Sequence, residues 1–230
     1  MRRLAAALAL AGIAIVIAAC SGPNQKPSTP PATSPAGSPR IAVADLGGLL
    51  LSPGDINIAM GTTGMTAAGA LNGMWNDGAE MADNDCRFAD GPAEASVYAG
   101  SGWTAVRGGA VQQPGDFTDF VGLAVVSFPS ADDATAFFTA SAERWPACSN
   151  RQYTFRQAGK SDAVWTVGPV TNTNGTLIAT KTQQGTQNWS CERALSVRSN
   201  VAIDVNACSN NPSGSAVNIV NQIAAKVPSR

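Results

Sequence analysis

Residues 189–208 carry the most regular hydrophobic pattern in the chain. Leu195 and Val197 alternate with polar or small residues, and the same alternation recurs at Val201, Ile203 and Val205. A period of two residues is typical of strands. The pattern therefore predicts a β-hairpin, with a cysteine near the outer end of each strand.

The turn of this hairpin decides which residues face each other. A two-residue turn at Ser199 and Asn200 places Cys191 opposite Cys208, in the kind of pair where Cα atoms come closest. A three-residue turn at 198–200 instead matches the apolar positions of the two strands, as the core prefers. Both registers hold only if one strand carries a β-bulge. We therefore predict a Cys191–Cys208 disulfide and a bulge between the apolar section and the cysteines.

Residues 97–148 predict two strands followed by a helix. Residues 97–111 have strand character weakened by glycines, and residues 120–128 form a buried strand. Ser130 is a typical N-cap with an acid three residues later. The helix that follows should pack on a sheet through one apolar face, made of Ala134, Phe137, Phe138, Ser141, Ala142 and Trp145.

Two further helices are predicted, one that begins after Ser52 and one that begins after position 213. Ser52 caps the first helix, Pro53 occupies its first position, and the helix stops near Gly61. Either Ser213 or Ser215 caps the second. The segment between the first helix and position 92 lacks sustained periodicity, so it is expected to be mostly loop.

Short turns join the remaining strands. The dipeptide Asn174-Gly175 is the strongest hairpin signal in the chain, between strands at 163–173 and 176–182. Another short strand is predicted at 153–157. Strands joined by short turns form a meander, so the predicted fold class is α+β, an antiparallel β-sheet meander with helices packed on one face and two disulfides.

The N-terminal residues predict export and a lipid anchor. Arg2 and Arg3 precede an uninterrupted apolar run, and the sequence Ile-Ala-Ala-Cys at 17–20 matches a bacterial lipobox. Residues 1–19 are therefore expected to be a lipoprotein signal peptide. Cys20 would carry the diacylglyceryl and acyl (palmitate) chains that hold the protein on the extracytoplasmic face of the cell membrane.

A linker separates this anchor from a single domain. Six of the twenty residues at 21–40 are proline, and serine, threonine and glycine supply most of the others. With Cys20 they make the linker 20–40, which favours extended conformers of about 3.1 Å per residue and reaches roughly 60 Å. Residues 41–230 are of suitable length for one domain.

Composition argues against a nucleic-acid partner. Apolar residues make up 44% of the chain and charged residues only 13%, about half the usual share. All sixteen acidic residues lie in 41–230, with eleven of the fifteen lysines and arginines. The domain is therefore acidic and offers no basic face for phosphate binding.

Four cysteines remain after the anchor, at Cys86, Cys148, Cys191 and Cys208. An even number in an exported chain implies disulfides, for which three connectivities exist. The hairpin selects Cys191–Cys208 and leaves Cys86–Cys148. A zinc site is the competing interpretation, but the chain has no histidine and no short C-x-x-C spacing.

The sequence predicts no catalytic residues, no metal ligands and no cofactor. Without histidine, Ser-His-Asp and Cys-His arrangements are excluded. A carboxylate pair could still hydrolyse glycosides, but nothing in the spacing of Asp162, Glu192 and Asp204 singles out such a pair. The acidic stretch of Asp77, Glu80, Asp83, Asp85 and Asp90 is either a plain acidic loop or a source of oxygen ligands for calcium.

Five tryptophans are candidates for packing or for ligand contact: Trp75, Trp103, Trp145, Trp165 and Trp189. Trp145 and Trp165 are assigned to the core. Trp103 and Trp189 have small or polar neighbours that suit the lining of a groove. The expected bulge would lie close to Trp189 and would aim Trp189, Arg193 or Asn206 at a ligand. With Trp103, these are the candidate ligand-binding residues.

Four stretches, 91–108, 128–148, 161–177 and 215–228, resemble the PknH-like extracellular sensor domain family of mycobacteria. The likeness covers about residues 46–228. It implies an α+β domain with two disulfides and a large cleft suited to a ligand, and the four domain cysteines match those of the family. In that family the domain belongs either to a receptor Ser/Thr kinase or to a stand-alone lipoprotein. The lipobox and the absence of a kinase favour the second kind.

These observations predict a surface-anchored lipoprotein, not an enzyme, with a sensor-like domain that binds a cell-envelope or environmental ligand in a cleft. Its expected partners are the membrane, through the lipid anchor, and a small-molecule or cell-wall ligand, not nucleic acid. Two alternatives remain: a carboxylate-dependent cell-envelope hydrolase, and a lipid carrier with a large apolar cavity.

Overall fold

The computed structural model describes residues 39–77, 81, 83–115, 117–156 and 159–228. The predicted signal peptide, the lipidation site Cys20 and the linker up to position 38 lie outside the described residues, so these features stay predictions. Within the described ranges, none of the helices has the length and apolar character needed to cross a membrane.

Nine strands of the described chain form one antiparallel sheet. Their spatial order is β1-β2-β3-β9-β8-β7-β5-β4, with β6 paired to β7 beside this path. One meander, from β1 to β3, therefore meets a second, from β4 to β9, where β3 pairs with β9. The strands are β1 Thr66–Leu71, β2 Ala105–Gln112, β3 Phe120–Ser127, β4 Gln152–Phe155, β5 Ala163–Val167, β6 Thr171–Thr173, β7 Thr176–Gln183, β8 Ser190–Arg198 and β9 Val201–Ser209.

The helices of the described residues are α1 Leu46–Leu49, α2 Pro53–Met60, α3 Ala95–Tyr98, α4 Ala131–Arg144 and α5 Ser215–Lys226. Short 3-10 helices cover Val43–Asp45, Asn84–Ala89 and Trp145–Cys148. The predicted α+β class and the antiparallel sheet are confirmed. The predicted caps Ser52 and Ser130 are also confirmed, because the hydroxyl of each accepts a hydrogen bond from the third residue of its helix.

Helices cover both faces of the sheet, which corrects the expectation of a single covered face. α3, α4 and the 3-10 helix Asn84–Ala89 contribute to a first core cluster, which includes Phe88, Phe137 and Trp145. α1, α2 and α5 contribute to a second core cluster, which includes Ile203 and Ile219. Successive residues of the central strands point into different clusters, so both sets of positions are apolar, as in sheets buried on two sides.

The β8–β9 hairpin keeps one register along its whole length and has a two-residue turn. Cys191 faces Cys208 and the predicted disulfide is confirmed, whereas the predicted bulge is wrong. Leu195 is buried in the first cluster and Ile203 in the second. Because each face has its own core, the apolar residues of the two strands need not face each other.

The second disulfide, Cys86–Cys148, is also confirmed. It joins the 3-10 helix Asn84–Ala89 to the 3-10 helix Trp145–Cys148, which continues directly from α4. Both sulfur-bearing residues are fully buried. The bridge therefore ties the end of α4 to a segment 62 positions earlier in the chain.

The start of α5 differs from the predicted serine cap. The N-cap is Gly214, with a positive φ of 80°, and no side chain of α5 caps the helix. Instead Glu192 of β8 accepts hydrogen bonds from the backbone N–H groups of Gly214 (2.6 Å) and Val217 (3.1 Å). A carboxylate at a helix N-terminus is stabilised by unpaired N–H groups and the helix dipole.

Candidate ligand-binding cleft

A cleft of about 790 Å³ opens between α4 and the segment 85–101, which contains a 3-10 helix and α3. On the α4 side the wall combines large or charged residues with four small ones, which leave room for a ligand: Ala136, Ala140, Ser141 and Ala147. The opposite wall includes Phe88, Ser96, Val97, Ala99, Gly100 and Ser101. Volumes of this size are typical of small-molecule sites.

Stacked aromatic rings join the two walls. Phe88 stacks on Trp145 with ring centroids 4.3 Å apart, and Tyr98 stacks on Phe137 at the same distance. In each pair one ring comes from the segment 85–101 and the other from α4 or its continuation. Aromatic burial of this kind stabilises the contact, so the shape of the cleft is set by the core rather than by surface loops.

A buried ion pair lies behind the cleft. Arg193 of β8 and Asp204 of β9 form a salt bridge, and each side chain is only 2% exposed. The Arg193 guanidinium also donates from Nε to the Phe88 carbonyl (3.0 Å) and lies 5.5 Å from the centre of the Trp145 ring. Arg193 therefore supports both stacked residues from inside the protein.

Asp204 holds the same wall through its other oxygen. Its Oδ2 accepts hydrogen bonds from the backbone N–H of Ala93 (2.8 Å) and from the Tyr98 hydroxyl (3.1 Å). Burial, and then the negative charge of Asp204, raise the pKa of the Tyr98 hydroxyl well above its usual 10. Tyr98 is therefore a neutral donor across the physiological pH range.

A third charged residue, Lys181 of β7, also holds the segment 85–101, at Asp90. Its Nζ donates to the Asp90 carbonyl (2.8 Å), lies 3.7 Å from the Asp90 carboxylate, and sits 4.6 Å from the Trp165 ring centre. Burial lowers the pKa of Lys181 from 10.5 to about 8, although the Asp90 charge opposes this shift. The sheet thus holds the segment at three points, through Lys181, Arg193 and Asp204.

None of the four residues predicted to contact a ligand lines the cleft. Arg193 and Asn206 face each other across β8 and β9, but both are buried in the sheet beneath the segment 85–101. The amide of Asn206 lies 3.4 Å from the Cys208 sulfur. Arg193 therefore shapes the cleft from behind and, as placed, does not face its opening.

The two tryptophan candidates lie at opposite ends of the sheet. Trp103 precedes the start of β2, whereas Trp189 precedes β8 at the end where Phe120 begins β3. Trp189 contacts Phe117 with ring centroids 5.8 Å apart. Trp145 and Trp165 are buried in the core, as predicted.

The acidic residues considered as catalytic groups do not come together. Asp162 is exposed beside Arg156, Glu192 binds α5, and Asp204 is paired with Arg193 on the other face of the sheet. In the acidic stretch, Asp83 and Asp85 form ion pairs with Arg151, at 2.5 and 3.2 Å. Across the part of the chain that the structure describes, no three acidic or cysteine residues form a metal-binding group.

Sequence reasoning missed the residues that do line the cleft, above all Arg87, Ser101 and Glu143. Arg87 and the α4 wall are far apart in sequence, so periodicity could not relate them. The predicted Cys86–Cys148 bridge was the available signal, because it brings the neighbour of Arg87 to the end of α4.

The fold and the cleft define a class: a disulfide-bonded α+β domain whose two-sided sheet carries a cleft on one face. Residues 41–226 match the family model described as "PknH-like extracellular domain". The chain therefore belongs to the PknH-like extracellular domain family.

Relatives and a solved structure agree with this assignment. The chain is 34% identical over 221 residues to the serine/threonine-protein kinase PknH of Mycobacterium tuberculosis (strain CDC 1551 / Oshkosh), covering 96% of this chain and 33% of the kinase. Identity to PknH of Mycobacterium bovis is also 34%, over 96% of this chain and 34% of that protein. The chain thus spans about a third of these kinases.

The crystal structure of the extracellular domain of PknH from M. tuberculosis is similar in fold, with a TM-score of 0.78 and 34% identity. The match covers 83% of this chain and 98% of the solved one. The similarity therefore extends over nearly the whole solved domain.

Proposed function

We propose that this chain is a lipid-anchored extracytoplasmic protein that acts as a binding or sensor module, with the cleft between α4 and the segment 85–101 as its ligand site. The observation that carries the proposal is the cleft itself, in a chain that belongs to a family of extracellular domains. The ligand is a small molecule from the cell envelope or the environment.

The construction of the walls supports a binding role. One disulfide, two aromatic stacks and the Arg193–Asp204 pair all fix the segment 85–101 against the sheet or α4. Rigid walls reduce the entropy lost on binding, so a cleft made in this way favours affinity.

The anchor is supported by the residues before the domain. A charged start, an apolar run and a lipobox ending at Cys20 precede the proline-rich linker. Two or more acyl chains give stable membrane attachment, whereas one gives only marginal binding. The protein would then present its cleft some distance above the membrane.

The cleft is tested with the purified full chain in detergent micelles, screened by saturation-transfer NMR against cell-wall glycan fragments, lipids and peptides. We expect one class to bind without turnover. Ala140→Trp fills the cleft and should abolish binding, whereas Thr139→Trp, on an exposed α4 position outside the cleft, should leave it unchanged. Binding that survives Ala140→Trp, or conversion of any compound to product, would refute the proposal.

The anchor is tested by intact-mass measurement and by detergent phase partition of the expressed full chain. We expect a protein cleaved before Cys20 and carrying acyl chains, found in the detergent phase. Cys20→Ser should lack these chains, and Ser21→Ala serves as the matched control. An unacylated wild-type protein would contradict the proposed anchor while leaving the cleft proposal intact.

A further inference from the structure

Three buried polar atoms in residues that line the cleft have no hydrogen-bond partner in the described protein: Arg87 Nε, Ser101 Oγ and Trp145 Nε1. Trp145 as a whole is only 2% exposed. Buried polar groups in folded proteins are nearly always paired, so each exception calls for an explanation. The described residues contain six such atoms, and three of the six belong to residues of this one cleft, which favours a bound molecule as their partner.

The chemistry of these atoms limits what that molecule can be. The indole N–H of Trp145 and the Nε–H of Arg87 only donate hydrogen bonds, and the Ser101 hydroxyl donates or accepts. The complementary group must therefore present acceptor atoms. A hydrocarbon chain provides none.

Three acids and two arginines line the cleft, so the argument for an anionic acceptor rests on Arg87 and not on the overall charge. Asp85 is paired with Arg151 (3.2 Å), and Asp133 accepts from the Ser130 hydroxyl (2.6 Å) at the start of α4. Glu143 and Arg144 are exposed neighbours with opposite charges. Neither Arg87 nor Arg144 has an ion-pair partner among the described residues. Arg144 is exposed to water, whereas Arg87 is half-buried and its Nε is one of the buried donors without a partner.

Arg87 and Trp145 are held on one rigid part of the cleft. Trp145 stacks on Phe88, the residue after Arg87, and the disulfide of Cys86, the residue before it, leads to Cys148 in the 3-10 helix of Trp145. Arg193 covers Trp145 from inside. The two donors are therefore pre-organised, which is what anion recognition by N–H groups requires.

We propose that the cleft binds the oxyanion of its ligand, a carboxylate or phosphate group, through Arg87, the Trp145 Nε1–H and the Ser101 hydroxyl. This inference rests on the proposed function, because it names the chemical class of molecule that the same cleft takes. Arg87 supplies the charge, and the other two groups supply neutral hydrogen bonds.

The test is a titration of the ¹⁵N-labelled full chain in detergent micelles, followed by the indole N–H signals of its tryptophans. Trp145→Phe identifies the Trp145 signal. Inorganic phosphate and acetate are added in separate arms, with sodium chloride as the ionic-strength control and N-acetylglucosamine as a neutral probe. We expect phosphate, acetate or both to move the Trp145 signal saturably and to leave the other indole signals in place.

Arg87→Gln should weaken anion binding at least tenfold, and Arg87→Lys, which keeps the charge, should weaken it less. Arg198→Gln is the matched control, because Arg198 lies at the hairpin end of β8 and does not line the cleft. The indole signals of the other tryptophans report whether each variant is folded. An unchanged affinity in a folded Arg87→Gln protein would overturn the inference.

The remaining outcomes also decide the question. A response to phosphate alone or to acetate alone supports the inference and distinguishes the two sources of the oxyanion. A Trp145 signal that moves with N-acetylglucosamine and not with either anion would overturn it while the cleft remained a binding site. If the Trp145 signal responds to none of the probes, the inference of oxyanion binding is also overturned. The Ala140→Trp screen then tests the proposed function separately.

Discussion

The ion pair of Arg193 and Asp204 stabilises this domain although both charges are buried away from water. Moving two ions out of water is costly, and their mutual attraction offsets this cost only when the remaining donors and acceptors are also paired. Here Arg193 donates to the carbonyls of Phe88 and Val205, while Asp204 accepts from Ala93 and Tyr98. The pair therefore fixes the cleft wall to the sheet.

Replacing one partner should be far more damaging than replacing an exposed acid. We expect Asp204→Asn to lower the free energy of unfolding by about 3–5 kcal/mol, since it leaves Arg193 buried and unpaired. Asp162→Asn is the control, because its pair with Arg156 is exposed and should contribute less than about 1 kcal/mol. Urea denaturation measures both, and equal losses in the two variants would contradict this account.

Because the pKa of Lys181 is lowered in the folded protein, we expect the free energy of unfolding to rise with pH. Its pKa is lowered to about 8 in the folded protein, against the ordinary lysine value of 10.5, so above pH 8 the unfolded chain binds more protons than the native one. Stability should then increase between about pH 8 and 9.5, by up to about 2 kcal/mol. Above pH 10 the raised pKa values of Tyr98 and Tyr153 act in the opposite direction.

The measurement is urea denaturation at pH 7, 8, 9 and 9.5. The increase should disappear in Lys181→Met, whereas Lys160→Met, which removes a solvent-exposed lysine, should retain it. A Lys181→Met protein with the same rise of stability as the wild type would show that other groups are responsible.

At the scale of elements, β2 depends on two glycines that let neighbouring strands approach. A Cβ added at Gly108 would lie 2.3 Å from the Leu123 carbonyl oxygen of β3, and one at Gly109 would lie 2.4 Å from the Gly69 carbonyl oxygen of β1. Both obstacles are backbone atoms, which cannot rotate away as a side chain can. Glycines that weakened the strand prediction are therefore needed by the sheet.

Gly108→Ala should lower the free energy of unfolding by about 1–3 kcal/mol, the usual range for overpacked sites. Gly47→Ala is the control, because a Cβ there has no atom within 4 Å and alanine favours the helical conformation of α1. Thermal denaturation compares the two variants. A Gly108→Ala protein as stable as Gly47→Ala would mean that β2 moves aside at little cost.

Over the whole molecule, local signals were sufficient for most elements but not for their arrangement. Ser130, Gly61 and the Asn174-Gly175 turn act through their own neighbours, so α4, the end of α2 and the β6–β7 hairpin were predictable. β1 was missed because, of its six residues, only Leu71 is buried and the strand shows no alternation. The bulge was wrong because Leu195 and Ile203 belong to different cores, and hydrophobicity alone does not say how many faces are covered.

The candidate site was less predictable than the fold, for a physical reason. Arg193 is a long cation beside an expected irregularity, yet it is buried because Asp204, eleven positions later, neutralises it. Arg87 carries no local signal, and its position against α4 follows from a disulfide and ring stacking between distant segments. Clefts between such segments depend on tertiary contacts that one sequence does not display.

The two disulfides should therefore have different consequences for the molecule. Cys86–Cys148 closes a loop with a separation of 62 positions and Cys191–Cys208 one of 17, so chain entropy assigns them about 4 and about 3 kcal/mol. The larger difference concerns the cleft. β8 and β9 stay paired with each other and with β7 and β3 without their bridge, whereas the segment 85–101 loses one of its attachments to α4.

We expect the double variant Cys86→Ala/Cys148→Ala to exchange amide hydrogens faster over residues 85–101 and to lose anion-dependent changes at Trp145. Cys191→Ala/Cys208→Ala, the matched control, should be less stable than the wild type but keep slow exchange in that segment. Hydrogen exchange followed by mass spectrometry measures both, at a temperature where each variant is folded. Equal protection of residues 85–101 in the two variants would mean that Arg193, Asp204 and the aromatic stacks suffice to form the cleft without its disulfide.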